Sequence, residues 1–162
     1  MSATPAVGAT RWSLYHVGIV VPDLRVAQRQ LSEQVGVTWG RVLHLGAAEA
    51  RGEDDRDLTL PMTICYSIDE PRLELIEEVP GSVWRCNSDS NLHHIGFWSD
   101  DLPGASARLS ELGCPMQLCG RAGAEAPRSF AYHYGALGVR IEVVDAALRS
   151  TMESLLFAPE HD

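Results

Sequence analysis

Two histidines and two glutamates recur at matched places along this chain. His16 lies in "YHVGIVVPDL" at 15–24, and His94 lies 78 residues further on in "HHIGFWSDDL" at 93–102. Glu74 in "RLELIEEV" at 72–79 returns 68 residues later as Glu142 in "RIEVVDAA" at 140–147. Imidazole nitrogens with carboxylate oxygens suit a divalent first-row ion such as Co, Ni, Zn, Mn or Fe. Four protein ligands leave coordination positions for water or substrate, so an ion held there could act as a Lewis acid. A structural zinc would more often use thiolates. The competing reading, four unrelated core or surface residues, is weakened because the repeat returns both residue types.

Positioning four such side chains requires strands. Strand alternation sends His16, Gly18 and Val20 to one face and Tyr15, Val17 and Ile19 to the other, and it groups His94 with Gly96 and Trp98. The runs around Glu74 and Glu142 alternate apolar and acidic residues, as half-buried strands do. Each histidine strand leads into a helical pattern, with Leu24, Ala27 and Leu31 in the first copy and Leu102, Ala105 and Leu109 in the second. Asp23 and Asp101 suit the helix N-caps, Gly36 and Gly113 the C-terminal stops, and Pro103 the first helical turn.

The spacing therefore predicts strands at 13–20, 40–46, 58–67 and 72–79 with a helix at 23–35. The second copy has strands at 92–98, 115–120, 127–134 and 139–144 with a helix at 101–112. This is an α+β fold: two βαβββ repeats forming a curved mixed sheet around a concave cleft, with the histidine face turned inward. The expected organisation is a flexible arm at 1–12, a first module at 13–79, a linker at 80–91, a second module at 92–144, and a C-terminal helix and tail at 145–162. Leu148, Met152 and Leu155 mark the apolar side of that last helix. The difference between the two spacings places extra length in the first half, where the polar "GAAEARGEDDR" at 46–56 reads as an exposed loop.

Composition narrows the partners. The net charge of −9 argues against nucleic acid, which needs a basic face. All 13 basic residues are arginine, so lysine Schiff-base chemistry is excluded and any anion contact falls to arginine. Cys65, Cys86, Cys114 and Cys119 form no C-x-x-C pair and read as reduced, small buried side chains. No apolar run approaches the roughly 18–20 residues that span a bilayer, and the start lacks the pattern of a signal peptide. A cytoplasmic protein is expected.

Other polar and aromatic residues carry two readings each. Arg121 and Arg128 flank "GRAGAEAPR", a loop that either closes over a ligand or stays solvated. His133 either lines the pocket or serves the core. Trp84, Trp98 and Tyr132 either wall a ligand or pack inside. His93 falls on the face opposite His94 and reads as a hydrogen-bonded structural histidine. Glu77 alternates away from Glu74, and Glu78 lies at the strand end.

The stretches "YHVGIVVPDL", "LELIEEVPG", "LHHIGFWSDDL" and "GVRIEVVD" resemble the vicinal oxygen chelate superfamily over about residues 13–146. "HVGIVVPDL" followed by "HHIGF" is most similar to its methylmalonyl-CoA epimerase-like branch. The resemblance implies that His16, Glu74, His94 and Glu142 are metal ligands. It implies an epimerase or isomerase that removes a proton next to a carbonyl through a metal-stabilised enolate. Glu142, or alternatively Glu74, would be the acid/base. The substrate would be a small carbonyl compound or an acyl-CoA, with Arg121, Arg128, Trp98 and His133 as contacts. Dimerisation is common in the superfamily, so a homodimer is compatible with the chain. A lactoylglutathione lyase-like glyoxalase and a metal-free sequestering protein are the alternative members.

Overall fold

The computed structural model describes residues 12–120 and 127–157. The first half runs β1 (Ser13–Val21), α1 (Leu24–Val35), β2 (Leu43–Gly52), β3 (Asp57–Tyr66) and β4 (Arg72–Glu77). The second runs β5 (Leu92–Ser99), α2 (Leu102–Glu111), β6 (Met116–Gly120), β7 (Phe130–His133) and β8 (Arg140–Asp145). A 3-10 turn at Ala146–Leu148 then leads into α3 (Arg149–Phe157). The α+β architecture of two βαβββ repeats is as expected, and the curved mixed sheet goes on to close into a barrel, in the order β1-β4-β3-β2-β6-β7-β8-β5. β1 and β4 run parallel, as do β5 and β8, while β1–β5 and β2–β6 join the halves antiparallel.

Local sequence explains both long helices. Asp23 accepts a hydrogen bond from the Val26 backbone N–H and Asp101 one from Gly104, each satisfying an orphan donor of the first turn. Gly36 ends α1 at φ 75°, a left-handed conformation that a side chain would strain. α1 buries Leu24 against Cys65 and Leu75, and α2 buries Leu102, Ala105 and Leu109 against Ala131 and Val143. The barrel interior holds a third cluster, including Val20, Ile64, Ile76, Trp84 and Leu118.

Three segments differ from the sequence expectation. "GAAEARGEDDR" is not a loop: β2 continues through it to Gly52, and only a short turn with Asp55 at φ 58° precedes β3. Glycine, alanine and charge have weak strand propensity, which hid the alternation in which Ala50 is buried while Glu49 is exposed. That extension supplies the barrel closure, since Ala50, Arg51 and Gly52 pair with Gly120, Cys119 and Leu118. In α3, Leu156 is buried and Leu155 is exposed, because the apolar stripe continues from Met152 at four-residue spacing. Trp12, assigned to the N-terminal arm, packs against Phe97. The rest of that arm, Arg121 and the tail after 157 lie outside the described residues. No helix among the described residues is long and apolar enough to cross a membrane.

The connection between β4 and β5 has no regular structure, yet its Trp84 is fully buried and donates its indole N–H to the Tyr132 hydroxyl at 3.2 Å. Trp84→Ala should cost roughly 3–5 kcal/mol, the range for emptying a buried aromatic site. Chemical denaturation of the two proteins measures the difference.

Candidate metal centre

Register alone assembles the site. Across neighbouring strands, Tyr66, Glu74, Gly18 and His94 form one row, and His16, Gly96, Glu142 and Tyr132 form a second. The rows are related by the repeat, and each histidine faces a glycine of the other half. A Cβ on Gly18 would lie 2.0 Å from Cε1 of His94, and one on Gly96 would lie 2.5 Å from Cε1 of His16. The paired glycines leave space that the imidazole rings fill.

The four expected ligands converge. Nε2 of His16 lies 2.7 Å from Nε2 of His94. Oε2 of Glu142 is 2.9 and 3.3 Å from these two nitrogens, and Oε2 of Glu74 is 3.4 and 3.1 Å from them. Donor atoms of His16, His94 and Glu142 all lie within 4.8 Å of one another. All four side chains are buried, and apart from the two imidazoles neither Oε2 has a polar partner among the described residues. A proton can bridge one nitrogen pair, but two buried carboxylates facing the same point call for more positive charge. The donor set, two imidazoles and two carboxylates, therefore fits a divalent ion.

Supporting contacts set the orientation of the donors. Tyr66 donates its hydroxyl to Oε1 of Glu74 at 2.5 Å, leaving Oε2 directed at the imidazoles. His93 donates from Nε2 to the Val83 carbonyl at 2.9 Å. Burial, then the charge of His94, push the His93 imidazole down to about 3, so its Nδ1 is bare and accepts from Nδ1–H of His94 at 2.9 Å. This chain fixes the tautomer that presents the Nε2 lone pair of His94 to the site. Burial pushes His94 down as well, but the charge and hydrogen bonding of Glu142 and Glu74 outweigh it and lift the group to about 9. Burial would raise Glu142, yet the two imidazoles hold its carboxyl well below the usual range. Burial raises Tyr66 and Tyr132 well above a normal phenol, so both stay neutral.

A cavity of about 490 Å³ opens onto the cluster. His16, Glu74 and Glu142 line its polar end, and Met62, Ile64, Phe130 and Met152 contribute to its apolar walls. The other expected contacts are placed elsewhere. His133 faces α2 and not the cavity: Ser106 Oγ lies 2.8 Å from its Nε2, and its Nδ1 donates to the Cys114 carbonyl at 2.7 Å. Alternation along β7 sends it opposite Tyr132, which does line the cavity. Trp98 is also outside the lining, stacked behind Tyr15 at 3.9 Å. Arg128 is exposed and is not among the lining residues, although its neighbours Ser129 and Phe130 are. Glu77 and Glu78 cap backbone N–H groups of Leu24 and Cys86.

Two site residues escaped the sequence reading. Tyr66 had a signal, since a tyrosine precedes each glutamate by eight residues in one half and ten in the other. Tyr15 was assigned to the helix side, but the pairing of β1 with β5 shifts register between Leu14 and His16. That bulge turns Tyr15 into the cavity beside His16.

Residues 15–132 match the family described as the Glyoxalase/Bleomycin resistance protein/Dioxygenase superfamily. The chain belongs to this superfamily. Its members usually bind a divalent metal, and His16, His94 and Glu142 form a cluster that could hold one. Among solved structures, a methylmalonyl-CoA epimerase in complex with methylmalonyl-CoA and NH4+ is 18% identical, with a TM-score of 0.57 over 85% of this chain and 95% of the other. The Mycobacterium tuberculosis methylmalonyl-CoA epimerase is 19% identical, with a TM-score of 0.55 over 92% and 97%. A variant of the Streptomyces coelicolor enzyme in complex with 2-nitronate-propionyl-CoA is 17% identical, with a TM-score of 0.57 over 83% and 94%. At such identities the likeness is one of fold. No curated protein matches the chain.

Gly18→Ala should displace His94 and lower Co2+ affinity by at least about tenfold, as loss of ligand support does. Chelator competition measures this, and unchanged affinity would exclude the ring placement described. The same assay across pH tests His94 as a ligand. Its folded value of about 9 is raised above 6.5, so in chelator-treated protein its charge stabilises the fold fully below about pH 6.5. That stabilisation is lost as pH rises through about 9. Metal must displace this proton, so affinity should rise about tenfold per pH unit toward that value and then level off. A pH-independent affinity counts against the assignment.

Proposed function

We propose that this chain is a divalent-metal-dependent enzyme that moves a proton at a carbon next to a carbonyl, as an epimerase or isomerase does. The observation that carries this reading is the convergence of two imidazole Nε2 atoms and two carboxylate Oε2 atoms at one buried point of the cavity. His16, Glu74, His94 and Glu142 would hold the ion. When bound, it supplies a Lewis acid for a substrate oxygen that gains negative charge as the adjacent proton leaves.

The two glutamates differ in what they are free to do. Glu74 is tied through Oε1 to the Tyr66 hydroxyl, which suits a fixed ligand. Among the described residues, the polar contacts of Glu142 are to the two imidazoles only. Glu142 is thus the carboxylate that can swing to take and return a proton, which is the motion general acid/base work requires. Val144 and Phe130, paired across β7 and β8 beside Glu142, would give the carbon that loses its proton apolar neighbours.

Solvent-exchange chemistry tests this directly. Cobalt-loaded protein in deuterium oxide is incubated with methylmalonyl-CoA and, separately, with the acyloin phenylacetylcarbinol, and α-carbon deuterium is read by mass spectrometry. Metal-dependent uptake on at least one compound is expected. Glu142→Gln at saturating cobalt should slow it at least about a hundredfold, as loss of a positioned acid/base does. Exchange no faster than the protein-free rate on both compounds would sink the proposal.

A further inference from the structure

The position just before each ligand histidine has two different uses in the two halves. His93 backs its neighbour, bonded to His94 and to the Val83 carbonyl. Tyr15, the matching residue of the first half, is turned by the β1 bulge toward the cavity. Its ring is held in place by stacking on Trp98 at 3.9 Å and on Tyr66 at 5.6 Å. Tyr15 is 6% exposed, and its hydroxyl is buried with no hydrogen-bond partner among the described residues. The Tyr66 proton goes to Glu74, so Tyr66 does not donate to Tyr15, and no acceptor lies in hydrogen-bonding geometry to the Tyr15 hydroxyl among the described residues. An orphaned buried hydroxyl is costly unless something arrives to accept from it.

The rest of the cavity says what the arriving molecule is made of. Beyond the cluster, its walls are aliphatic, thioether and aromatic, from β2, β3, β7, β8 and α3. Among the described lining residues no arginine appears, and the charged group outside the cluster is Glu49, at an exposed position. An anionic tail inside would be desolvated without a counter-charge and would face the negative Glu49.

We infer that the substrate is a compact molecule with an uncharged, apolar body, its oxygen-bearing end at the four-ligand cluster and one oxygen accepting a hydrogen bond from Tyr15. This rests on the metal-site reading and adds the substrate class and a specificity residue to it. Among the described residues the cavity walls offer no cationic partner to a phosphate-bearing carrier such as CoA.

Hydroxamates provide the test, because each presents two adjacent oxygens while the tail is varied. Binding of benzohydroxamate and of succinyl monohydroxamate is measured by calorimetry on the cobalt-loaded and the chelator-treated protein. Benzohydroxamate should bind at least about tenfold tighter than the succinyl compound in both forms, since wall burial favours it and the carboxylate finds no partner. Tyr15→Phe should weaken benzohydroxamate about fivefold, the value of one hydrogen bond, with Co2+ affinity unchanged. Tyr15→Trp, which keeps the aromatic stack but not the hydroxyl, should lose at least as much. A preference for the succinyl compound, displacement of benzohydroxamate by CoA, or full affinity in Tyr15→Phe would overturn the inference. Metal dependence separates the two readings. If the tail preference holds but cobalt adds nothing to affinity, the metal reading fails and the substrate class stands. If cobalt is required but the preference reverses, the substrate class fails and the metal reading stands.

Discussion

Two buried carboxylates aimed at one point dominate the electrostatics of this molecule. Taken out of water, Glu74 and Glu142 would repel each other and destabilise the barrel unless positive charge lay between them. His94 supplies part of it: in the absence of metal its raised value expresses that demand as a retained proton. Much of the surrounding structure follows from the same requirement. Tyr66 fixes one carboxylate, His93 fixes one imidazole, and the neutral phenols of Tyr66 and Tyr132 add no charge to the cluster. A site organised in this way competes for a proton or a divalent cation, and the ion that neutralises more charge suits it better.

The repeat provides the geometry. Because β1 and β5 pair antiparallel with Gly18 opposite His94 and His16 opposite Gly96, each half leaves room for the ring of the other. Neither half could place its own histidine against a bulkier partner strand. The glutamates join through the parallel neighbours, β4 beside β1 and β8 beside β5. The four converging side chains thus come from four adjacent strands of a continuous sheet and not from loops. Strands hold side-chain positions more tightly than loops do, which is what a constellation of this kind requires.

That geometry was legible in the sequence where residue type and spacing both repeat. The convergence of His16, Glu74, His94 and Glu142, both helices and the inward face of the histidine strands follow from alternation and from matched spacing. What was not legible depended on local irregularity or on pairing between distant segments. The bulge at Tyr15 reverses the alternation at one residue, and its register shift is set by pairing with Phe97 and Gly96 of the distant β5. The β2 extension is built from Gly, Ala and charged residues whose strand state comes from pairing with β3 and β6. His133 was ambiguous because a buried imidazole reads alike in a pocket or under a helix; its bonds to Ser106 and Cys114 decide it.

A ligand set with pseudo-twofold symmetry would present the same field to a substrate from either side, so symmetry alone cannot select one orientation. Direction must come from the places where the two halves differ. His16 borders the cavity while His94 is sealed behind it by His93 and Tyr132. Glu74 is held by a tyrosine hydroxyl, whereas Tyr132, its counterpart beside Glu142, accepts from Trp84. On one side the carboxylate is clamped; on the other no tyrosine hydroxyl holds it among the described residues. The 3-10 turn and α3 cover the cavity from one side, through Leu148 and Met152. Symmetry therefore builds the four-residue cluster, and its breaking at positions 15 and 93, at the two tyrosines and at α3 gives the two sides of the cavity different chemistry.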